Sequence, residues 1–213
     1  MEFYVNGDSH CLGAMKDGPG DPSFAKLVAK HFNLNLVNQS EGASSTTRII
    51  RTTQEYLSNN KPRLVLIGWG TWEREEWVYN NEYYNVMVGW YKHLPTPLRA
   101  RYDTWAEQQN YDTLLNKSCI VHEQIHRLHI LLDAYTIPHL FFNCMYDFQG
   151  VSKDMQYDWK TSYIGPYEGD KSYVWYLKNK QYEHDKWFHF PQEAHAEWAN
   201  VLIKHIEDHD IIY

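Results

Sequence analysis

The run RLVLIG at Arg63–Gly68 constrains the fold more than any other stretch of the sequence. It is continuously apolar after its arginine and shows no alternation with polar residues. Such a run is typical of a strand that is buried on both faces, as strands are in a parallel sheet covered by helices. The chain is therefore expected to belong to the α/β class.

Other strand and helix patterns alternate along the chain around this run. Strands are predicted at Glu2–Asn6, Leu34–Asn38, in HLFFNCM from His139 and near Tyr173–Tyr176; helices are predicted at Asp21–His31, Thr46–Leu57, Leu114–Tyr135 and Pro191–Glu207. Pro22 and Pro191 are interpreted as first helical residues, with Asp21 as an N-cap. This alternation favours an open parallel sheet with helices on both sides.

The length of 213 residues suits a single domain over 1–213. An aromatic-rich insertion is predicted at about 72–113, where the pattern assigns no structure. The 17 Tyr and 9 Trp exceed what a core of this size needs, so some rings are expected to face a ligand, a partner or solvent.

Charge and cysteine content restrict the partners and the compartment. With 27 acidic and 20 basic residues the net charge is −7, and there is no run of Lys or Arg, which argues against nucleic acid or an anionic membrane as the partner. No apolar stretch approaches 18 residues, and the first residues lack a signal-peptide pattern. Three scattered cysteines favour a reducing cytoplasm.

Reactive residues follow the predicted strands at their carboxyl ends. Ser9 follows the first strand, Gly42 lies in the loop after the second, Gly68–Thr71 follow the third, and His189 precedes the last helix. Ligands of open parallel sheets bind at this edge. A serine nucleophile needs a base and hydrogen-bond donors aimed at the oxyanion, and the N–H groups of Ser9 and Gly42 are candidate donors.

Four short blocks occur in the order and approximate spacing of the SGNH (GDSL-type) hydrolases: FYVNGDSH, GASS, LVLIGWGT and HFPQEAHAEWA. The sequence resembles that family as a divergent member. The resemblance implies a flavodoxin-like three-layer sandwich and a serine esterase that needs no cofactor or metal. Its substrate would be a small ester, often an acetyl ester on a carbohydrate. Ser9 matches the nucleophile, His189 the base and Gly42 the oxyanion glycine.

Two positions depart from the family pattern. The third block usually reads Gly-x-Asn-Asp, but this chain has Gly68-Trp69-Gly70-Thr71 and lacks the Asn that completes the oxyanion hole. Gly70 or Thr71 is expected to supply the missing donor. The family's acid lies three residues before the histidine, where this chain has Lys186, so Asp185 is the nearest candidate.

The sequence pattern also predicts roles for residues that neighbour these candidates. His195 falls inside the last helix, whereas His189 lies in the loop before it and is freer to reach a strand end. Asp8 and His10 flank Ser9 and are expected to line the substrate site. Trp69 and Trp72 are expected either to line the cleft or to cover the sheet edge.

Two other functions compete with the esterase. A protein that keeps the fold but has lost efficient catalysis could bind glycans or proteins, and the missing Asn motivates this alternative. The stretch HEQIH also fits the HExxH pattern of zinc peptidases, in which His122 and His126 share a helix face and Glu123 acts as the base. A third zinc ligand is hard to name, because His129 is only one turn further and His139 opens the next strand.

Overall fold

The computed structural model describes residues 1–13 and 23–212, and its strands and helices alternate along most of the chain. They are β1 (Glu2–Gly7), α1 (Ser9–Leu12), α2 (Phe24–His31), β2 (Asn35–Asn38), α3 (Thr46–Leu57), β3 (Leu64–Trp69), β4 (Glu75–Tyr79), β5 (Glu82–Val86), α4 (Thr96–Glu107), α5 (Tyr111–Ala134), β6 (His139–Asn143), β7 (Tyr163–Ile164), α6 (Tyr173–Asn179) and α7 (Gln192–Asp208).

The central sheet has the strand order β2-β1-β3-β6-β7, and all its neighbouring strands are parallel. Gly7 at the end of β1 is paired with Gly68 in β3, and Trp69 at the end of β3 is paired with Asn143 in β6. The carboxyl ends of the three central strands therefore meet at one edge, where the loops that follow them come together.

Strand β3 contributes to the core on both faces of the sheet. Leu64 and Leu66 pack in one apolar cluster with residues of α2 and α7. Val65 and Ile67 pack in the opposite cluster with residues of α3 and α5. This two-sided burial explains the continuous apolar run, and the predicted three-layer α/β sandwich is confirmed.

The predicted insertion at 72–113 contains the antiparallel hairpin β4–β5 and the helix α4. These elements bury a small cluster of their own, formed by Trp77, Val86, Leu94, Leu98, Tyr102 and Trp105. An ion pair between Arg51 of α3 and Glu76 of β4, with Arg51 Nε 3.0 Å from the carboxylate, joins the hairpin to the sandwich. Residues 72–113 therefore contain a hairpin and a helix, and the hairpin packs against α3.

Two predictions for the secondary structure differ from the structure. The strand predicted near Tyr173–Tyr176 is wrong, because this segment lies in α6, whose Tyr173, Val174 and Leu177 are buried at helical spacing. Pro191 is the N-cap of α7 rather than its first residue.

Helix α2 begins at Phe24, where Ser23 is the N-cap and its side chain accepts a hydrogen bond from Lys26 N–H. The predicted start at Asp21 and Pro22 lies outside the described residues. None of the helices within the described ranges combines the length and the apolar composition of a membrane span.

Candidate active site

Ser9, His189 and Asp185 are joined by a continuous chain of hydrogen bonds. Ser9 is the first residue of α1, directly after β1, and its Oγ lies 2.9 Å from His189 Nε2. On the other side of the ring, His189 Nδ1 lies 3.0 Å from Asp185 Oδ2. The structure thus brings together three residues from the two ends of the chain in the order that a nucleophile, a base and an acid require.

The loop before α7 holds the Asp185 carboxylate in place. The backbone N–H groups of Trp187 and His189 both donate to Asp185 Oδ1, at 2.8 and 3.0 Å. Burial acts to raise the pKa of Asp185, but these backbone bonds and the His189 side chain outweigh it and lower the pKa to about 2. Near neutral pH the ionised carboxylate accepts the Nδ1 proton of His189, which leaves Nε2 as the acceptor of the Ser9 hydroxyl proton.

A cavity is lined by Ser9 and Gly42, whose backbone N–H groups are two of the predicted oxyanion donors. The Ser9 N–H stands at the first turn of α1, where an N–H has no acceptor within the helix. Gly42 lines the same cavity, and its loop is tied to the end of β1 by the bond from Glu41 N–H to Gly7 O at 3.2 Å. Asn85 of β5 donates to Gly42 O at 3.3 Å, so the insertion helps to hold this loop.

Of the two residues predicted to supply the third donor, Thr71 lines the cavity and Gly70 does not. The Thr71 hydroxyl donates to Glu73 Oε1 at 2.6 Å, so its proton is already engaged. Gly70 is buried and is not among the residues that line the cavity. The Thr71 hydroxyl therefore lies at the cavity with its proton engaged elsewhere, and Gly70 does not reach the cavity.

Asp8 lies beneath the cavity and does not line it, so its predicted role as a lining residue is wrong. It is the N-cap of α1, and Asp8 Oδ1 accepts from His10 N–H at 3.0 Å and from His10 Nδ1 at 2.9 Å. Asp8 Oδ2 accepts from Arg74 Nη1 at 2.7 Å. Complete burial acts to raise the pKa of Asp8, but His10 and Arg74 together hold that pKa well below its usual range.

His10 lines the cavity, and the residue is 3% exposed. Its Nε2 is buried and has no hydrogen-bond partner in the described residues.

The cavity has a volume of about 530 Å³, within the range of small-ligand sites. Its polar floor contains Ser9, His189 and the pair Glu73 and Arg74. Its apolar walls come from three segments: Met87–Trp90 of the insertion, Met145 and Tyr146 after β6, and Trp187 and Phe188 of the His189 loop. Sequence reasoning missed Arg74, since it belongs to no motif, whereas Met87–Trp90 lie in the aromatic-rich region that is expected to cover the site.

Trp69 and Trp72 belong to the core, so the expectation that they line the cleft is wrong. Trp69 ends β3 on the same face as Val65 and Ile67, and its ring packs edge-on against Phe141 at 5.3 Å. The Trp72 ring stacks on Phe148 at 5.0 Å, and its Nε1 donates to Asp147 O.

His195, the competing base, lies in α7 with its ring stacked on Phe24, and it is not among the cavity-lining residues. Burial lowers the pKa of His195 to about 4, so the ring is neutral at pH 7. Its Nδ1 accepts a hydrogen bond from Phe24 N–H at 3.4 Å. His195 thus has a structural contact of its own away from the serine.

The HEQIH stretch lies in α5, as the zinc alternative requires, but its side chains are used otherwise. His122 Nε2 lies 2.8 Å from the Tyr167 hydroxyl, the His126 ring stacks on Tyr157 at 3.5 Å, and Glu123 is ion-paired with Arg127 on the exposed side. Within residues 1–13 and 23–212, no convergent group of three potential ligands includes His122 or His126. The geometry does not favour a zinc peptidase.

The comparisons with known proteins concern the fold. Neither a protein-family model nor a curated protein sequence matches the chain. LAE5, an α/β hydrolase enzyme from the metagenome of Lake Arreo, is similar over 97% of this chain and 94% of its own, with a TM-score of 0.52 and 13% identity. This similarity shows a shared α/β fold.

Two further solved structures align over nearly the whole chain with lower scores. The psychrotrophic esterase EstA from Pseudoalteromonas sp. covers 98% of this chain and 95% of its own, with a TM-score of 0.46 and 11% identity. A member of the lipolytic G-D-S-L family from Veillonella parvula covers 98% and 97%, with a TM-score of 0.47 and 11% identity.

Proposed function

We propose that the protein is a serine esterase in which Ser9 is the nucleophile, His189 the base and Asp185 the acid that orients it. The observation that carries this proposal is the hydrogen-bonded chain from Asp185 through His189 to Ser9 Oγ at the floor of a cavity. A serine hydroxyl is a weak nucleophile on its own, and a hydrogen-bonded imidazole is the group that activates it.

The reaction proceeds by acyl transfer. Ser9 Oγ forms a bond to the ester carbonyl carbon while His189 Nε2 takes the hydroxyl proton, and the carbonyl π electrons move to the oxygen. The oxyanion accepts hydrogen bonds from Ser9 N–H and Gly42 N–H. The bond from the carbon to the leaving oxygen then breaks, and His189 returns the proton to that oxygen. A water molecule repeats the sequence on the acyl-enzyme, with Asp185 stabilising the imidazolium in both halves.

The cavity walls favour a small ester attached to a ring-bearing alcohol. Trp90 and Trp187 stand at the cavity with 42% and 50% of their surface exposed, a high value for such large apolar side chains. Exposed aromatic rings of this kind pack against the apolar faces of sugars. The substrate class we propose is therefore an O-acetyl ester on a carbohydrate.

Hydrolysis of p-nitrophenyl acetate tests the proposed chemistry. Ser9→Ala is expected to abolish turnover, whereas the exposed Ser58, which lies at the end of α3, tolerates the same change without loss. A fluorophosphonate should label Ser9 once per chain, as read by mass spectrometry of the intact protein and its peptides. Absence of both turnover and labelling would refute the esterase and leave the glycan- or protein-binding alternative.

Acetate release from an acetylated xylo-oligosaccharide tests the substrate class separately. Turnover of p-nitrophenyl acetate without release of acetate from any acetylated sugar would keep the esterase and reject the carbohydrate substrate. Trp187→Ala is expected to raise KM for the sugar more than for p-nitrophenyl acetate, since the smaller ester has no sugar ring to stack.

A further inference from the structure

The oxyanion site built from Ser9 and Gly42 has two backbone donors, and the loop after β3 offers a third from a side chain. The Thr71 hydroxyl lies at this cavity but already donates to Glu73, and Gly70 is not among the lining residues. The same loop continues to Arg74, which lines the cavity together with Ser9, Gly42 and His189.

The guanidinium of Arg74 is anchored by the residue that precedes the nucleophile in the chain. Its Nη1 donates to Oδ2 of Asp8, the residue that precedes Ser9, at 2.7 Å. The side chain lies over Gly70, where an added Cβ would come within 3.0 Å of Nη1 and 3.3 Å of the Asp8 carboxylate. Gly70 thus provides the space that the guanidinium fills.

Most of the hydrogen-bonding capacity of Arg74 is unused. A guanidinium has five N–H donors, and within the described residues the Arg74 side chain makes one hydrogen bond, to Asp8. The side chain is 9% exposed, and its Nε is buried and has no hydrogen-bond partner within the described residues. Arg74 Nη2 also has no hydrogen bond within the described residues and is not among the buried atoms, so it is the donor that a ligand atom in the cavity can meet.

We propose that Arg74 is a catalytic residue that donates a hydrogen bond to the oxyanion, in the place of the Asn that this chain lacks. This inference rests on the proposed esterase function. The donor is charged and held in advance by Asp8, so it stabilises the negative oxygen as it forms, without reorganising. It also offsets the repulsion that the Glu73 carboxylate in the same cavity exerts on an oxyanion.

Asp8 acts in this arrangement as a positioning residue. Its carboxylate is completely buried and receives Arg74 on one oxygen and His10 on the other. The sequence Asp8-Ser9 thus places the nucleophile and the anchor of its oxyanion donor on adjacent residues.

The test compares pairs of variants, because removing Arg74 alone leaves Asp8 buried without its cation. Asp8→Asn is compared with Asp8→Asn/Arg74→Gln, in which the pair is neutral on both sides. Arg74→Lys keeps the charge and the Asp8 partner but loses the planar fork. Arg51→Gln is the control for the loss of another arginine–carboxylate pair, since Glu76 is also buried and lies outside the cavity. Circular dichroism verifies folding of each variant.

Three quantities are measured for each variant: kcat and KM for p-nitrophenyl acetate, and Ki for phenylboronic acid, which forms a tetrahedral anionic adduct with a serine. Relative to wild type, we expect Asp8→Asn/Arg74→Gln to lose roughly 10²–10³ in kcat with KM within about threefold, and Asp8→Asn, which keeps the guanidinium without its anchor, to lose less. Ki should weaken by a similar factor. Arg74→Lys should lose roughly tenfold to a hundredfold, and Arg51→Gln should change neither kcat nor Ki.

Two results would overturn the inference while leaving the esterase intact. One is a kcat and a Ki within threefold of wild type in Asp8→Asn/Arg74→Gln, or in Arg74→Lys if the double variant does not fold. The other is a rise in KM with an unchanged kcat, which would make Arg74 a ground-state contact. An inactive wild-type chain with unlabelled Ser9 would instead remove the proposed function, and this inference with it.

Discussion

Two aspartate–histidine pairs each place their histidine at the same cavity, and only one of these histidines reaches Ser9. Asp185 lies 3.0 Å from His189 Nδ1, and Asp8 lies 2.9 Å from His10 Nδ1. The two imidazole rings are 5.5 Å apart. His189 Nε2 meets the Ser9 hydroxyl, whereas His10 Nε2 has no partner in the described residues. An aspartate–histidine pair thus does not identify a catalytic site by itself, because its role depends on which group the second ring nitrogen, Nε2, contacts.

The two carboxylates also differ in what surrounds them. Asp8 is buried, with 1% of its side chain exposed, and it neutralises Arg74. The Asp185 side chain is 30% exposed, and backbone N–H groups rather than a cation hold it. We therefore expect the Asp8 pair to contribute mainly to stability and to the position of Arg74, and the Asp185 pair mainly to the rate.

The largest expected difference between the pairs is in turnover. His189→Ala should lower kcat for p-nitrophenyl acetate by about 10⁴ or more, because the serine loses its base. His10→Ala should lower it by less than about tenfold, since His10 makes no contact with Ser9 Oγ. Both variants are compared after thermal unfolding shows them to be folded at the assay temperature. Equal losses would show that the pairs share the role of base and would break the comparison.

The next effect separates the two aspartates by rate. Asp185→Asn should lower kcat by roughly 10³–10⁴, because an amide no longer fixes the proton on His189 Nδ1 or supports the imidazolium. Its effect on the free energy of unfolding should be about 1 kcal/mol or less, as for other partly exposed ion pairs. Steady-state kinetics and urea unfolding of the same preparation give both values. A kcat that stays within tenfold of wild type would assign the acid to another residue.

Asp8→Asn should show the opposite balance, with a marked loss of stability. Removing the Asp8 charge leaves Arg74, itself only 9% exposed, without its counter-ion, and breaking such a buried pair typically costs about 3–5 kcal/mol. Urea unfolding of Asp8→Asn and Asp185→Asn side by side measures the difference. The comparison fails if the two variants are destabilised equally.

The sheet and its main helices were predictable because their signals are local and periodic. The unbroken run at Arg63–Gly68 indicates burial on both faces, and the regular apolar spacing of α5 indicates a helix. Alternate residues of a strand point to the same face of the sheet, so Trp69 lies on the buried face that carries Val65 and Ile67. Helix α6 was missed because its YVWY stretch is aromatic and β-branched, a composition equally typical of a strand.

The residues of the site differ in the same way, since some could be predicted from local sequence patterns and others could not. The positions of Ser9, Gly42 and His189 could be proposed because each follows a predicted strand or precedes a predicted helix. Arg74 could not, since its position depends on a turn that brings it back over Gly70 to Asp8, 66 residues earlier in the chain. No local pattern encodes a contact of that kind.

The smallest expected effect is the response of the two pairs to acid. Hydrogen bonds lower the pKa of Asp185 from 3.8 to about 2, so its ionised form stabilises the native state above pH 3.8, and this contribution is lost as pH falls toward 2. Solvent exposure limits the contribution to about 1 kcal/mol or less. The stability difference between wild type and Asp185→Asn should therefore shrink between pH 5 and pH 2. The difference between wild type and Asp8→Asn should persist over the same range, because His10 and Arg74 hold the pKa of Asp8 lower still.

Urea unfolding at pH 5, 3.5 and 2.5 measures both differences, with Ser58→Ala as a pH-independent reference. Parallel loss of the two contributions would show that both carboxylates titrate in the same environment, contrary to the difference in burial described above.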